Sequence, residues 1–547
     1  MLKTMTGGEA IAQSLLAHGV DTVFAIPGVQ TYELFDAFAR MEDRVNVIGP
    51  RHEQTTAYMA FGYARSTGKV GVYSVVPGPG MLNSTAALCS AYGASTPVLC
   101  VTGEVPTEFI GSGKGHLHEL PDQLATLRSL TKWAARIDHP AQAPELVSEA
   151  FRQMTQGRPR PVALEMPWDV FGMRSPVQID APSEAGTVGE ADPEQIAQAV
   201  SLLARARNPM IMVGSGAQHA ADEVLALAER LQAPVVSFRG GRGVVNDEHH
   251  LGFTCAAGFK RWTETDVLIG IGSRLELQWF RWPDQPGSLK IIDIDIDPEQ
   301  IPRINPDIAV VSDAKPAAAQ LESELGRAGV GHASRKHEFA AVKQQTLSEA
   351  AQVQPHMDYL RAIRDVLPRD GILVEEICQA GFTSYFGFPV YAPRTFVSCG
   401  HQGTLGFGFP TALGVKVGNP QRAVVSITGD GGFMFGIQDL ATAVRYGINV
   451  VTVLFNNNAY GNVLRDQQNL FGGRLIGSEL RNPDFVKLAE SFGMCACRVS
   501  TPDDLRRELE HALGLDAPAL IEISIEHGSE VSPWPFLMPP STRAGKA

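Results

Sequence analysis

The chain has 547 residues, 44% of them hydrophobic and 19% charged, enough for several cores and too many for one. A net charge of −13 with no basic run argues against binding to nucleic acid or to an anionic membrane. Seven scattered cysteines without a CxxC pair read as reduced thiols, not as a zinc or disulfide framework. No apolar stretch approaches the ~18 residues of a membrane span, and MLKTMTGGEAIAQSLLAHG lacks the long apolar core of a signal peptide. A soluble, cytoplasmic protein is expected.

The first block, residues 1–170, alternates short apolar strands with helical stretches. Strands are expected at Thr22–Ile26, Val45–Ile48, Val70–Val76, Val98–Thr102 and Val162–Met166, and helices at Gly8–Gly19 and Gln54–Ser66. Pro27-Gly28-Val29-Gln30 ends the first of these strands and offers Gln30 as a polar group. Arg51-His52-Glu53-Gln54 stands where a strand and turn give way to a helix. Glu53 is there either as an acid favoured by the helix N-terminus or as a functional carboxylate. Gly115-His116-Leu117-His118-Glu119 lies in a Gly-rich loop. Imidazole titrates near neutrality, so His118 suits a proton donor, with a solvated loop histidine as the alternative; His116 is the weaker candidate.

Residues Phe171 to Ala191, rich in Pro, Gly, Ser and acids, read as a linker. The second block, residues 192–325, has expected strands at Met210–Val213, Val235–Phe238, Val267–Ile271 and Leu289–Ile296, with a helix at Ala220–Leu231. Gly214-Ser-Gly-Ala217 follows a strand but lacks a complete GxGxxG, a weak dinucleotide signal. The alternation in Ile291-Ile-Asp-Ile-Asp-Ile-Asp297 reads as a strand with one polar face. A second polar linker is expected over Gly326 to Gln354.

The third block, residues 355–530, contains Cys399-Gly-His-Gln-Gly-Thr-Leu-Gly-Phe-Gly-Phe-Pro410, whose glycines suit backbone pressed close to a ligand. A strand, Ala423–Ile427, then runs into Thr428-Gly429-Asp430-Gly431-Gly432; a helix, Phe433–Arg445, and a second strand, Asn449–Phe455, lead to Asn456-Asn457-Asn458. Strand, crossover helix and strand make a right-handed parallel unit. Asp430 and Asn457 should therefore lie side by side at neighbouring strand ends, where open α/β sheets bind ligands. One carboxylate, one amide oxygen and a nearby backbone carbonyl suit a hard cation such as Mg²⁺, with phosphate oxygens completing the shell. After Asn457, Ala459-Tyr-Gly-Asn-Val-Leu-Arg465 begins a helix, and Arg465 reads equally as a carboxylate clamp or a surface side chain. The Pro-rich end, SPWPFLMPPSTRAGKA, reads as an irregular arm. Pro97–Glu104 (PVLCVTGE) echoes Ala423–Asp430 (AVVSITGD), as two blocks of equal topology would allow.

GDG, some two dozen residues and NN resemble the signature of the thiamin-diphosphate-dependent enzymes, and the resemblance extends across nearly the whole chain. It implies an α/β fold of three doubly wound parallel-sheet domains: pyrimidine-binding, central and diphosphate-binding. It makes Asp430 and Asn457 side-chain ligands of Mg²⁺ and Ala459 a carbonyl ligand, with Gly429, Gly431, Gly432 and Tyr460 around the diphosphate. Glu53 would hydrogen-bond the pyrimidine N1′, Leu405 would wedge the cofactor into its bent form, and the Gly403 carbonyl would accept from the 4′-amino group. Acetolactate-synthase-like members carry Gln-Glu near His118-Glu119 and keto-acid decarboxylases carry paired histidines, so this chain departs from both. The implied chemistry is decarboxylation of a small 2-oxo acid through a C2 carbanion, the enamine being protonated or added to a second carbonyl, with His118 and Gln30 as catalytic candidates. An FAD-containing oxidase, or a carbon–carbon lyase acting on 2-hydroxy carbonyl compounds, is the alternative, although the glycine-histidine run that accompanies FAD in acetolactate synthases is missing. A homo-oligomer is implied, at least a dimer and by analogy a tetramer, because the two halves of one site come from different subunits.

Overall fold

The computed structural model describes residues 2–179 and 190–541. Among these, no helix is long and apolar enough to cross a membrane. Three six-stranded parallel sheets, each flanked by helices, follow one another along the chain.

The first block opens with β1 (Lys3–Thr6) and contains β2 (Thr22–Ala25), β3 (Asn46–Ile48), β4 (Gly71–Val75), β5 (Val98–Glu104), β6 (Trp133–Arg136), β7 (Val162–Pro167) and β8 (Arg174–Val177). The strands β4, β5 and β7 are buried along their whole length, as parallel strands covered on both faces must be. Thr6 and Glu9 form a capping box that starts the helix Gly7–Ala17, and Gly68, at φ 78°, ends the helix Glu53–Thr67. The central block holds β9 (Pro209–Val213), β10 (Val235–Ser237), β11 (Gly252–Thr254), β12 (Val267–Ile271), β13 (Lys290–Asp295) and β14 (Ile308–Val311). The third holds β15 (Ile372–Val374), β16 (Phe396–Val397), β17 (Val424–Gly429), β18 (Val451–Asn456), β19 (Cys495–Val499) and β20 (Ala519–Ser524).

The first sheet runs β3-β2-β4-β5-β7-β6 and the third β16-β15-β17-β18-β20-β19, so the two share one strand order. The central sheet runs β11-β10-β9-β12-β13-β14, which puts a switch point between β9 and β12. The echoing octapeptides fall on the fourth strand of the first sheet and the third strand of the last. They record a common demand, a fully buried strand with a polar tip, and not equivalent places.

Several expectations change. Within the first linker, β8 pairs antiparallel with β1, Lys3 opposite Val177; residues 180–189 of that linker lie outside the described residues. The second linker contains the helix Lys336–Ala350, anchored by Phe339, which is fully buried edge-on against Phe253. The expected helix Phe433–Arg445 is broken into Asp430–Phe433, a tight turn at Ile437–Asp439 and Leu440–Tyr446. The chain-terminal arm is docked: Trp534 lies 5.1 Å from the Phe382 ring and Phe536 stacks on Phe386 at 4.9 Å. The aspartates of β13 form no solvent face. Asp293 is fully buried and Asp295 7% exposed, because this strand is covered on both sides. Among the described residues neither Asp293 oxygen has a hydrogen-bond partner, and burial pushes its carboxyl up to about 7.

First and third blocks meet along a glycine seam. The helix Glu53–Thr67 crosses the helix Gly408–Gly418 so closely that a Cβ on Gly62 would lie 2.2 Å from the Thr411 carbonyl oxygen, and one on Gly414 1.9 Å from that of Met59. Beside the seam the buried Asp439 accepts from Arg51 N (2.7 Å), Thr55 Oγ1 (2.5 Å) and Thr442 Oγ1 (2.7 Å).

Two stability predictions arise. Gly414→Ala should cost roughly 3 kcal/mol by overpacking the seam, read as a lower thermal midpoint and reduced soluble yield. Asp293 is raised from 3.8 to about 7 in the folded state. Across that window the folded protein holds a proton that the unfolded chain has lost, so its contribution to stability falls as pH rises. The gain from Asp293→Asn should therefore be about 3 kcal/mol larger at about pH 8 than at about pH 5, measured by denaturant titration.

Candidate active site

The parallel register sets Gly429 opposite Phe455, so the next residues, Asp430 and Asn456, stand together at the carboxyl tips of β17 and β18, with Asn457 one step beyond. Asn482 bridges the two tips, its Nδ2 donating to Asp430 Oδ2 at 2.6 Å and to Asn456 Oδ1 at 2.9 Å. Asp430 is 2% exposed, and burial pushes its carboxyl up to about 6. Asn457 donates from Nδ2 to Glu530 Oε2 at 2.6 Å, while its Oδ1 accepts from Ala459 N at 3.0 Å. Ala459 is buried and forms an isolated antiparallel bridge with Glu479.

The glycines here serve protein packing more than expected. A Cβ on Gly431 would lie 2.5 Å from the Tyr460 ring, one on Gly429 2.9 Å from Cys378 Cβ, and one on Gly432 3.0 Å from the Glu376 carboxylate carbon. Glu376, fully buried and raised to about 7 by that burial, accepts from Gly408 N (2.7 Å) and Phe407 N (3.4 Å). It thereby caps the helix Gly408–Gly418 and fixes one end of the 399–410 loop. In that loop Gly400, Gly403 and Gly406 all have left-handed φ (71°, 58°, 79°). Gly406 is pressed against Phe435, 2.4 Å from a notional Cβ, whereas Gly403 has nothing nearer than Ile377 at 3.8 Å. Gly400, 3.6 Å from Ala94 Cβ, is equally uncrowded, and Leu405 beside Gly403 is half-buried. Arg465 donates to Asn462 Oδ1 at 2.6 Å, on the helix Gly461–Leu470 that follows Tyr460.

The first-block candidates also come together. Gln30, fully buried, and His118 are 88 positions apart, yet His118 Nδ1 lies 2.8 Å from Gln30 Oε1. Gln30 Nε2 donates to the Leu117 carbonyl at 2.8 Å, which leaves its Oε1 to accept and makes His118 Nδ1 the donor. Both residues sit at left-handed φ, 74° and 70°, backbone that costs energy for a non-glycine residue. Burial first, then His116, hold the His118 ring below the usual imidazole range. Glu119 gathers the loop, accepting from the backbone N–H groups of Gly113, Gly115 and His116. His116 is stacked on Phe109 at 4.6 Å, a packing role. Glu53, the first residue of its helix, accepts from Asn83 Nδ2 at 3.1 Å. Among the described residues no hydrogen bond or ion pair joins Glu53 to Asp430, Asn457 or the 399–410 loop.

The central sheet carries a cleft of about 330 Å³ at its switch point, lined by Gly214, Gly216 and Gly272 together with Arg65, Arg158, Arg239, Arg274 and Arg394. The Gly214 and Gly272 loops pack on each other, a Gly214 Cβ lying 2.2 Å from the Gly272 oxygen. Three of these arginines, Arg65, Arg158 and Arg394, come from the outer blocks, which no local motif could announce. Asn482, Glu376, Glu530 and His356 were likewise absent from the sequence reading, because all act across long sequence separations.

The tip residues fit a divalent cation. Asp430 is desolvated, receives only neutral donors, and stands beside an amide oxygen in a cradle whose glycines leave no room for side chains. Hard oxygen donors of this kind are what Mg²⁺ takes.

Comparison with known proteins accords with this geometry. Residues 5–126 match the N-terminal TPP binding domain of thiamine pyrophosphate enzymes, 196–321 their central domain, and 377–523 their C-terminal TPP binding domain. A probable 2-ketoarginine decarboxylase of Pseudomonas aeruginosa is 34% identical over 95% of this chain and 94% of its own. A probable acetolactate synthase large subunit of Methanocaldococcus jannaschii is 35% identical, over 95% and 92% respectively. The acetolactate synthase large subunit of Haemophilus influenzae is 30% identical over 97% and 96%. With all three domains matched in order and relatives spanning almost its full length, the chain belongs to the thiamine pyrophosphate enzymes.

Proposed function

We propose that this protein is a Mg²⁺- and thiamin-diphosphate-dependent enzyme that decarboxylates a small 2-oxo acid. The observation that carries the reading is the buried Asp430 carboxylate, met only by neutral donors, beside Asn457 at adjacent parallel strand tips. Asp430, Asn457 and the Ala459 carbonyl would hold the cation, with Gly429, Gly431, Gly432 and Tyr460 shaping the diphosphate pocket. Leu405 and the Gly403 carbonyl would set the bent form of the cofactor.

When bound, thiamin diphosphate supplies a nucleophilic carbon that adds to a keto group and accepts the electron pair released with CO₂. Glu53 would hold a proton at the pyrimidine N1′. Gln30 fixes the His118 tautomer with Nδ1 donating, which leaves Nε2 as the position that takes up and returns a proton. That pair, held in strained backbone, supports a role at the substrate, because strain of this kind concentrates at functional sites. Protonation by His118 would release an aldehyde; addition to a second carbonyl, as the name acetolactate synthase implies for the relatives, is the competing fate. The arginine-lined central cleft favours a phosphate-bearing ligand and keeps a flavin-dependent oxidase as a second reading.

Glu53 and the metal tip lie in different blocks without a bond between them in one chain. Leu82 (42% exposed), Met434 (42%), Phe435 (49%) and Val463 (50%) leave apolar surface beside both rims. Such surface suits a second copy of the chain that completes the site, so the working form would be at least a dimer.

Glu53→Gln should retain cofactor uptake by calorimetry yet lose about 100-fold or more in turnover; wild-type turnover in that variant would remove Glu53 from the mechanism. CO₂ release from a panel that includes pyruvate and 2-ketoarginine, with and without an aldehyde acceptor, should show decarboxylation of at least one member. Its product profile separates aldehyde release from carboligation. Silence across the panel, together with a flavin spectrum in the purified protein, would shift the reading to the oxidase.

A further inference from the structure

Asn457 does not hold its own orientation. Its amide nitrogen donates to Glu530 Oε2 at 2.6 Å, and Glu530 Oε1 lies 2.7 Å from Nε2 of His356, which is completely buried. A carboxylate can only accept, so Glu530 forces the Asn457 nitrogen toward itself and the oxygen away. Gly461 makes this contact feasible: a Cβ there would lie 2.6 Å from Asn457 Nδ2 and 3.3 Å from Glu530 Oε2. His356 is set in turn by the strand that leads into Asn457, its ring edge-on to Phe455 at 5.4 Å.

Glu530 lies beyond the matched C-terminal domain, residues 377–523, and His356 lies before it. The segment that bears Glu530 is pinned on both sides. Val531 N donates to the Gln354 carbonyl at 2.9 Å, and Trp534 Nε1 donates to Asn462 Oδ1 at 2.6 Å. His527 Nδ1 sits 3.3 Å from the Asn457 carbonyl oxygen.

We propose that Glu530, backed by His356, is a positioning residue that presents the Asn457 amide oxygen to the divalent cation. The proposal rests on the reading above that Asp430 and Asn457 hold that cation. Partners that orient a metal ligand in this way typically change metal affinity by about 10- to 100-fold when lost.

The test is calorimetric titration of Mg²⁺ into full-length, cofactor-stripped protein at saturating thiamin diphosphate, for wild type, Glu530→Gln and Glu530→Ala. Glu530→Ala frees the amide to flip and should weaken apparent Mg²⁺ affinity by about 10- to 100-fold. Glu530→Gln can still accept from Asn457 through its own oxygen and should fall between. Thermal unfolding without ligand controls for damage to the fold, and Glu530→Gln carries the test should Glu530→Ala fail to fold. Wild-type Mg²⁺ affinity in a folded variant overturns the positioning role alone. Absence of Mg²⁺-dependent uptake in the wild type removes the cation site itself, and the inference with it.

Discussion

A carboxylate buried at the tip of a parallel strand must meet positive charge or give up its ionisation, and this constraint organises the third block. Asp430 is nearly inaccessible and receives a side-chain hydrogen bond from Asn482, a neutral amide that offsets only part of the desolvation of a charge. On the function proposed above, a cation would relieve the remainder. The parallel register then matters as much as the residue types: it sets β18 against β17 so that an asparagine arrives beside the carboxylate. Asn482 and Glu530 hold the two expected ligands from behind.

A site of this kind needs a rigid frame, and the frame is a repeated one. The first and third sheets share one strand order. Their coupling runs through the seam at Gly62 and Gly414, where two helices touch backbone to backbone, and through Asp439, which gathers donors from both blocks. One end of the 399–410 loop is fixed in the same frame by Glu376. The central sheet, with its different order, is the one that opens at a switch point, and its cleft draws arginines from all three blocks.

What could be read beforehand follows from how local each feature is. Asp430 and Asn457 belong to one strand–helix–strand unit, so spacing alone announced their meeting. The block pattern emerged because buried parallel strands make short apolar runs. Edge strands were read unevenly: β3 was expected at Val45–Ile48, whereas β6, β11 and β14, with one neighbour each, were not. The polar stretch 326–354 concealed a helix because amphipathic surface helices are mostly polar, and its buried side is carried by Phe339, Thr346 and Ala350 alone among its fifteen residues. The buried aspartates of β13 were invisible for the opposite reason, since alternation looks the same whether the polar face meets solvent or protein. Glu530 and His356, separated by 174 positions, become partners only when the chain's final segment folds back.

The substrate end was the least legible, and its physics explains why. Cation and diphosphate geometry is fixed by chemistry, so the residues that serve it keep a spacing that a sequence can display. A substrate side chain is met by loops leaving different strands, and each loop is free to vary. Gln30 and His118 show the consequence: they reach each other from separate loops, both in left-handed backbone, with nothing in either segment to indicate the other. Relatives of similar identity, one named as a 2-ketoarginine decarboxylase and others as acetolactate synthases, span the same three domains. In this chain the Gln30–His118 pair joins two such loops, and on the function proposed above it is where a choice of substrate would be made.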